Sequence, residues 1–297
     1  MPLVPSAQPL REEVVDGKGK KKVLLLDISG IISDKKRTSG WGLRERVSIV
    51  AEFREALKKA EADDDIFGVV VRINSPGGTV TASDILRHEV LRYKEQTGVR
   101  VVACLMDVGT SGAYYVATAA DEIIAHPTSV TGSIGVMAMK FNVQGLFSRI
   151  GIEEETIKSA DMKDLWSPFR PSTDDEREIL QSIIDTLHER FVDMVVDGRK
   201  GLTREGVEKL ADGRIYTADQ ARAVGLIDGI GYLNEAVEGL KKKAGIEKAS
   251  VVIYGRPGTY KGSIYSGATP QVVNLIALNG EGLAAPAGVH FMYLWAP

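Results

Sequence analysis

The chain has 297 residues, 44% hydrophobic and 26% charged, enough to bury one large core or two modest ones. Its 37 Lys and Arg stand against 40 Asp and Glu, a net charge of -3, which provides no basic excess for a nucleic-acid-binding face. A lone cysteine excludes an intramolecular disulfide, and four scattered histidines lack carboxylate or cysteine partners at ligand spacing, so neither metal nor cofactor is expected.

Residues 1–22 read as an N-terminal arm. They hold neither a charged start followed by an apolar stretch nor the ~20 apolar residues a spanning helix needs. The chain as given is therefore expected in the cytoplasm; a longer, membrane-anchored protein is the alternative. Lys18, Lys20, Lys21 and Lys22 read as a solvated hairpin turn, with anion or membrane-surface contact as the other possibility. Apolar runs then alternate with helical periodicity, the pattern of an α/β fold. Strands are expected at 21–32, 67–74, 99–106 and 121–126, and helices at 48–63, 83–98 and 111–120. Residues 131–137 (TGSIGVM) form a glycine-punctuated strand or turn. Cys104, inside VVACLM, reads as a small buried hydrophobe. Thr173 with Glu176 makes a capping box opening a helix that Gly198 or Gly201 ends. Shorter helices follow at 203–213 and 217–228, each with a threonine cap, and another at 233–245. The uncharged stretches 262–280 and 282–297 read as loops and short buried strands. The organisation is arm 1–22, main domain 23–245 and a strand/loop extension 246–297.

Three glycine-marked junctions can carry chemistry. In Ser75-Pro76-Gly77-Gly78-Thr79 a strand meets a helix, so unpaired backbone N–H groups can face a negative oxygen; a plain turn is the other reading. At Asp107–Thr110 the next strand breaks and Ser111-Gly112-Ala113 opens a helix, where a serine is either an N-cap or a nucleophile. Tyr114 and Tyr115 suit packing or a pocket wall. A nucleophile needs a base. His126 follows a nearby strand, but Pro127 beside it suggests a structural residue, and the other histidines lie in helices or the C-terminal stretch. Lys163, in the irregular segment 157–164, is the alternative. A neutral lysine can take a serine proton where an apolar pocket lowers its pKa from about 10.4 and a hydroxyl orients the amine. The third junction, Thr131-Gly132-Ser133-Ile134-Gly135, could supply that hydroxyl. By residue type alone, Lys163 is equally a surface lysine.

SPGG (75–78), TSGAYY (110–115), TGSIGV (131–136) and KSADMKD (158–164), with SPFRPST (167–173) and the Glu189-Arg190 pair, resemble the signal peptide peptidase A (SppA-type) serine protease family over residues 22–240. The resemblance implies a Clp/crotonase-like spiral of β-β-α units with a helical C-terminal portion. It further implies Ser111 as nucleophile, Lys163 as general base, Ser133 positioning the lysine amine, and Gly78 with Gly112 as oxyanion hole. The 52-residue gap between Ser111 and Lys163 fits the short, single-copy form. Such forms assemble into ring or dome homo-oligomers whose neighbouring subunits complete each site. Peptides, either signal-peptide remnants or unfolded and short chains, are the implied substrates. The usual N-terminal membrane helix of the family is not in these residues. A crotonase-type acyl-CoA enzyme and a non-catalytic scaffold of the same fold are the alternatives.

Overall fold

The computed structural model describes residues 9–35, 37–39, 44–256, 262–266 and 291–295. The chain begins with β1 (Arg11–Gly17) and β2 (Lys21–Ser29). The paired short strands β3 (Arg37–Ser39) and β4 (Arg44–Arg46) precede α1 (Ile49–Ala60). Then come β5 (Ile66–Ser75), β6 (Gly77–Thr79), α2 (Val80–Thr97), β7 (Arg100–Thr110), α3 (Gly112–Ala117), β8 (Glu122–Ala125), β9 (Val130–Gly132) and β10 (Met137–Ala138). The second half holds α4 (Gln144–Arg149), a 3-10 turn (Asp161–Asp164), α5 (Asp174–Gly198) and α6 (Arg204–Leu210). It continues with β11 (Ile215–Thr217), α7 (Ala218–Ala223), β12 (Gly229–Ile230), α8 (Leu233–Ala244), β13 (Ala249–Gly255) and β14 (Phe291–Leu294).

The main sheet runs β1-β13-β2-β5-β7-β8-β12, with β9 joining β7 to β11. Its central pairings are parallel, and only β1 with β13 and β11 with β9 run antiparallel. The central strands are apolar on both faces, as a sheet covered from both sides requires. Alternation sorts them: Leu24, Leu26 and Ile28 of β2 enter one core with α1, α2 and α3, while Val23 and Leu25 enter a second with Leu233, Ala236, Val237 and Leu240 of α8. Cys104 is wholly buried in that second core, and burial pushes its thiol up to about 12.

The helices begin and end where local chemistry says they should. In α1 the apolar residues Ile49, Phe53, Ala56, Leu57 and Ala60 share one face, and the Ser48 hydroxyl accepts Ala51 N–H at 3.2 Å. The capping box of Thr173 and Glu176 is formed, and α5 closes at Gly198. Gly98 and Gly245 end α2 and α8 in the left-handed conformation.

The α/β class with a helical C-terminal portion is thus as expected, and β5-β6-α2 forms a β-β-α unit whose short second strand leaves the main sheet for a second one, β10-β14-β6. Two local expectations are corrected. The Lys18–Lys22 stretch is not a hairpin turn: β13 lies between β1 and β2 and pairs with both. Lys22 meets Glu12 at 2.9 Å and Asp63 at 2.8 Å, and these carboxylates raise its pKa. Nor does β7 end at Asp107–Thr110: its pairing with β5 is interrupted there, jumping from Leu105 to Gly109, but the strand continues, with Gly109 opposite Ser75 and Val108–Thr110 paired with β9. Among the described residues no helix is long and apolar enough to cross a membrane.

Candidate active site

Three adjacent strand ends make the site. β5 ends at Ser75, β7 at Thr110 and β9 at Gly132, in mutual register through Ser75↔Gly109 and Thr110↔Gly132. Ser111 and Ser133 each follow directly, and both adopt positive φ, 53° and 51°. A left-handed turn at a residue with a Cβ costs of order 1–3 kcal/mol and persists only where its surroundings impose it. Here they do: Ser111 N–H donates to Gly132 O at 2.7 Å, and Ser133 N–H to Arg214 O at 2.7 Å.

Ser111 is 1% exposed, and its hydroxyl has no hydrogen-bond partner. It precedes α3 as an N-cap does, yet its side chain makes no capping bond. Burial of an unpaired hydroxyl costs about 1–3 kcal/mol, and a plain capping role leaves that cost unexplained. Of the neighbouring hydroxyls, Thr110 Oγ1 is likewise buried without a partner, whereas two others are used for structure. Thr131 donates to Gly109 O at 2.7 Å, and Ser75 accepts Gly77 N–H at 3.1 Å.

The glycine turn is built for close backbone approach. Ile32 N–H donates to Gly77 O at 2.8 Å and Thr79 N–H to Ile32 O at 2.9 Å, so the peptide groups of Gly78 face the opposite edge. A Cβ at Gly78 would lie 1.9 Å from Ile32 O, which no side chain allows. On the far edge, β14 runs antiparallel with Tyr293 opposite Gly78. A Cβ at Gly112 would stand 3.2 Å from Gly78 N and 3.0 Å from Tyr293 O. The first N–H groups of a helix have no partner within it, so Gly78 and Gly112 present two donors around one carbonyl position. Tyr293 is itself buried, stacked at 5.1 Å on Tyr115 and 4.6 Å from Phe191. Tyr115 donates to Asp84 Oδ1 at 2.6 Å and Tyr114 to Leu226 O at 2.7 Å, which makes both tyrosines wall and packing residues.

Ser111, Gly78, Gly112 and Ser133 are brought together; Lys163 is not. It sits exposed on the 3-10 turn, within a segment whose α4 buries no residue. Met139, Phe141, Leu146, Ile150, Ile152, and Ile157 at 94%, are exposed along the same excursion. No histidine substitutes for it among the described residues. His126 pairs with Thr128 Oγ1 at 2.9 Å and abuts Tyr232, His188 pairs with Ala211 O at 2.9 Å, and His88 is exposed on α2. His290 lies outside the described residues. No group of three or more His, Cys, Asp or Glu among them could hold a metal ion.

The residues near Lys163 that sequence reasoning missed are Asp164, Arg170 and Glu176, joined in one ion-pair network. Their signal was present: Lys158, Asp164, Arg170 and Glu176 alternate in sign at a constant spacing of six.

A family model described as peptidase family S49 matches residues 93–247. The chain is 33% identical over 243 residues to an Enterococcus faecium protein assigned as signal peptide peptidase SppA, covering 82% of this chain and 70% of that one. It is 39% identical over 199 residues to a protein assigned as a protease in Methanocaldococcus jannaschii, covering 67% and 63%. With the chloroplastic serine protease SPPA of Arabidopsis thaliana it shares 31% identity over 262 residues, 86% of this chain but 38% of that larger one.

Proposed function

This chain belongs to peptidase family S49 and is a serine peptidase of the SppA type, and on that premise we propose that it cleaves peptides with Ser111 as nucleophile and Lys163 as general base. The observation that carries the reading is the Ser111 hydroxyl, buried, unpartnered and held on a left-handed backbone beside the N–H groups of Gly78 and Gly112. In the proposed cycle Ser111 Oγ attacks the scissile carbonyl carbon while its proton passes to neutral Lys163 Nζ. Gly78 and Gly112 N–H donate to the resulting oxyanion, donors of a kind worth about 10²–10³-fold in rate each. The lysine ammonium then protonates the leaving amine, and water, deprotonated by the same lysine, hydrolyses the acyl-enzyme. Ser133 orients the amine.

The pairing of β14 with β6 supports extended peptide binding along this edge, since β6 accepts an antiparallel strand whose carbonyl lies between the two glycines. A substrate strand would take the edge in place of β14, with short or unfolded peptides, signal-peptide remnants included, as the class. Because Lys163 is exposed and Ser111 is buried within the same chain, we assign the lysine of each site to a neighbouring copy in a homo-oligomer. The exposed apolar residues around Lys163, Phe141, Leu146 and Ile157 among them, support a surface that a second copy covers. Family membership favours this reading over an acyl-CoA enzyme or an inert scaffold.

Hydrolysis of a fluorogenic peptide by wild type, Ser111→Ala and Lys163→Ala, with native mass measured in the same buffer, tests the assignment. Both variants are expected to be inactive at unchanged mass; hydrolysis retained by either removes that residue from the mechanism.

A further inference from the structure

We propose that Arg170 is a positioning residue for Lys163: by binding Asp164, the next residue in the chain, it fixes the turn that carries the base and keeps that carboxylate from pairing with the lysine. The inference rests on the reading of Lys163 as base.

Arg170 Nε donates to Asp164 Oδ2 at 2.8 Å and Nη2 to Asp164 Oδ1 at 2.9 Å. Nη1 donates to Glu176 Oε2 and to Pro171 O, both at 3.1 Å, and Nη2 also to Glu176 Oε1. These bonds occupy the five N–H donors of a guanidinium, a fork that the ammonium of a lysine cannot reproduce. Lys158 Nζ adds bonds to Asp164 Oδ1 at 2.8 Å and Asp161 O at 3.0 Å. The other end of the network is anchored. Glu176 is 1% exposed and accepts Thr173 N–H at 3.0 Å in the capping box of α5, whose Leu180, Phe191, Val192 and Val195 are buried. The exposed turn that carries Lys163 is thereby tied directly to the longest helix described.

Two further observations separate positioning from surface decoration. Trp166, three residues beyond Lys163, has φ +69°, and the other non-glycine residues with positive φ among those described are Ser111 and Ser133. Backbone strain thus occurs at both ends of the proposed dyad, and at the Lys163 end the network spans it from Asp164 to Arg170. The second observation is charge. Lys163 shares its turn with the carboxylates of Asp161 and Asp164, yet among the described residues its Nζ has no hydrogen bond or ion pair, while Asp164 is taken by Arg170 and Lys158. Nearby along the chain, Lys140 bonds to Ser167 O, Arg170 O and Ser172 Oγ, and the first turn of α5 carries Asp174, Asp175 and Glu176, with Arg177 paired to Asp174. Without Arg170, Lys158 still binds Asp164 Oδ1 but Oδ2 is left open, and a carboxylate oxygen open beside Lys163 would favour its ammonium, which cannot accept a serine proton.

The test is the pH profile of kcat/KM for a fluorogenic peptide, measured on the assembled protein for wild type, Arg170→Gln, Asp164→Asn and the double variant, each checked for native mass and thermal melting. Arg170→Gln is expected to lower kcat about tenfold or more at pH 7 with KM within about twofold, and to move the acid limb to higher pH. Adding Asp164→Asn is expected to bring the limb back. A limb unmoved by Arg170→Gln, or still displaced in the double variant, overturns the proposal. If Arg170→Gln fails to fold, Asp164→Asn alone decides: the limb should move to lower pH, since the turn then loses the Asp164 carboxylate while Lys158 and Arg170, the latter still paired with Glu176, remain, and an unmoved or raised limb overturns the proposal. Lys163→Ala measured alongside keeps the two readings apart. Hydrolysis by Lys163→Ala removes the base assignment itself, whereas an inactive Lys163→Ala beside a wild-type Arg170→Gln profile removes only the role of Arg170.

Discussion

The Ser111 junction and the Lys163 excursion are held by different forces. Around Ser111, strand ends in register, glycines with no room for a Cβ and the buried edge-on pair of Tyr115 and Phe191 set the geometry. Around Lys163, residues 139–164 bury almost nothing, and the turn is fixed through charged hydrogen bonds to the start of α5. One region is specified by packing and tolerates little change in shape. The other presents apolar side chains and a lysine outward and depends on charge, so pH, salt and association should act on it first.

Substitutions can break that contrast or sharpen it. The largest effect is expected from Ser111→Ala, which should lower kcat about 10⁴-fold or more and abolish fluorophosphonate labelling while melting stays near wild type. Gly78→Ala comes next: its Cβ would meet Ile32 O at 1.9 Å, so a fall in kcat of about 10²-fold should come with a lowered melting temperature. On the exposed side, Ile157→Asp should change the fold's stability by no more than about 0.5 kcal/mol yet reduce native mass by sedimentation, and peptidase activity with it. An Ile157→Asp protein of unchanged mass and activity would remove the excursion from the assembly surface.

The smallest expected effect is a pH dependence of stability. Arg170 holds the carboxyls of Asp164 and Glu176 below their ordinary values of 3.8 and 4.5. Groups depressed in the folded state contribute stability above their unfolded pKa and lose it as pH falls through the folded one. The difference in melting temperature between wild type and Arg170→Gln should therefore be constant above about pH 5 and shrink progressively below about pH 4. No such window is expected at the Ser111 junction, where burial raises the Tyr114, Tyr115 and Tyr293 hydroxyls well above the usual tyrosine range and keeps them neutral.

What was legible in the sequence follows the same division. The buried runs of β2, β5 and β7 and the capped helices α1, α5 and α8 are local signals of period and cap, and they stand where the pattern puts them. Long-range pairing was not legible. β1 is largely exposed and finds β13 more than 230 residues away, and the continuation of β7 through Gly109 is stabilised by Ser75 and β9 rather than by its own residues. At the site, the motifs marked Ser111, Gly78, Gly112 and Ser133 as candidates, but the positive φ of both serines and the unpartnered hydroxyl arise from neighbouring strands. The Lys158-Asp164-Arg170-Glu176 spacing was readable as alternating charge, whereas its closure into one network depends on a turn that no periodicity encodes.

Ser111 of one copy is proposed to work with Lys163 of another. Co-assembly of Ser111→Ala with Lys163→Ala tests it, because each variant alone should be inactive while a mixed assembly contains sites with an intact serine facing an intact lysine. For random mixing at equal amounts around a head-to-tail ring, peptidase activity should return to about one quarter of wild type. Mixed assemblies as inactive as their parents would contradict it.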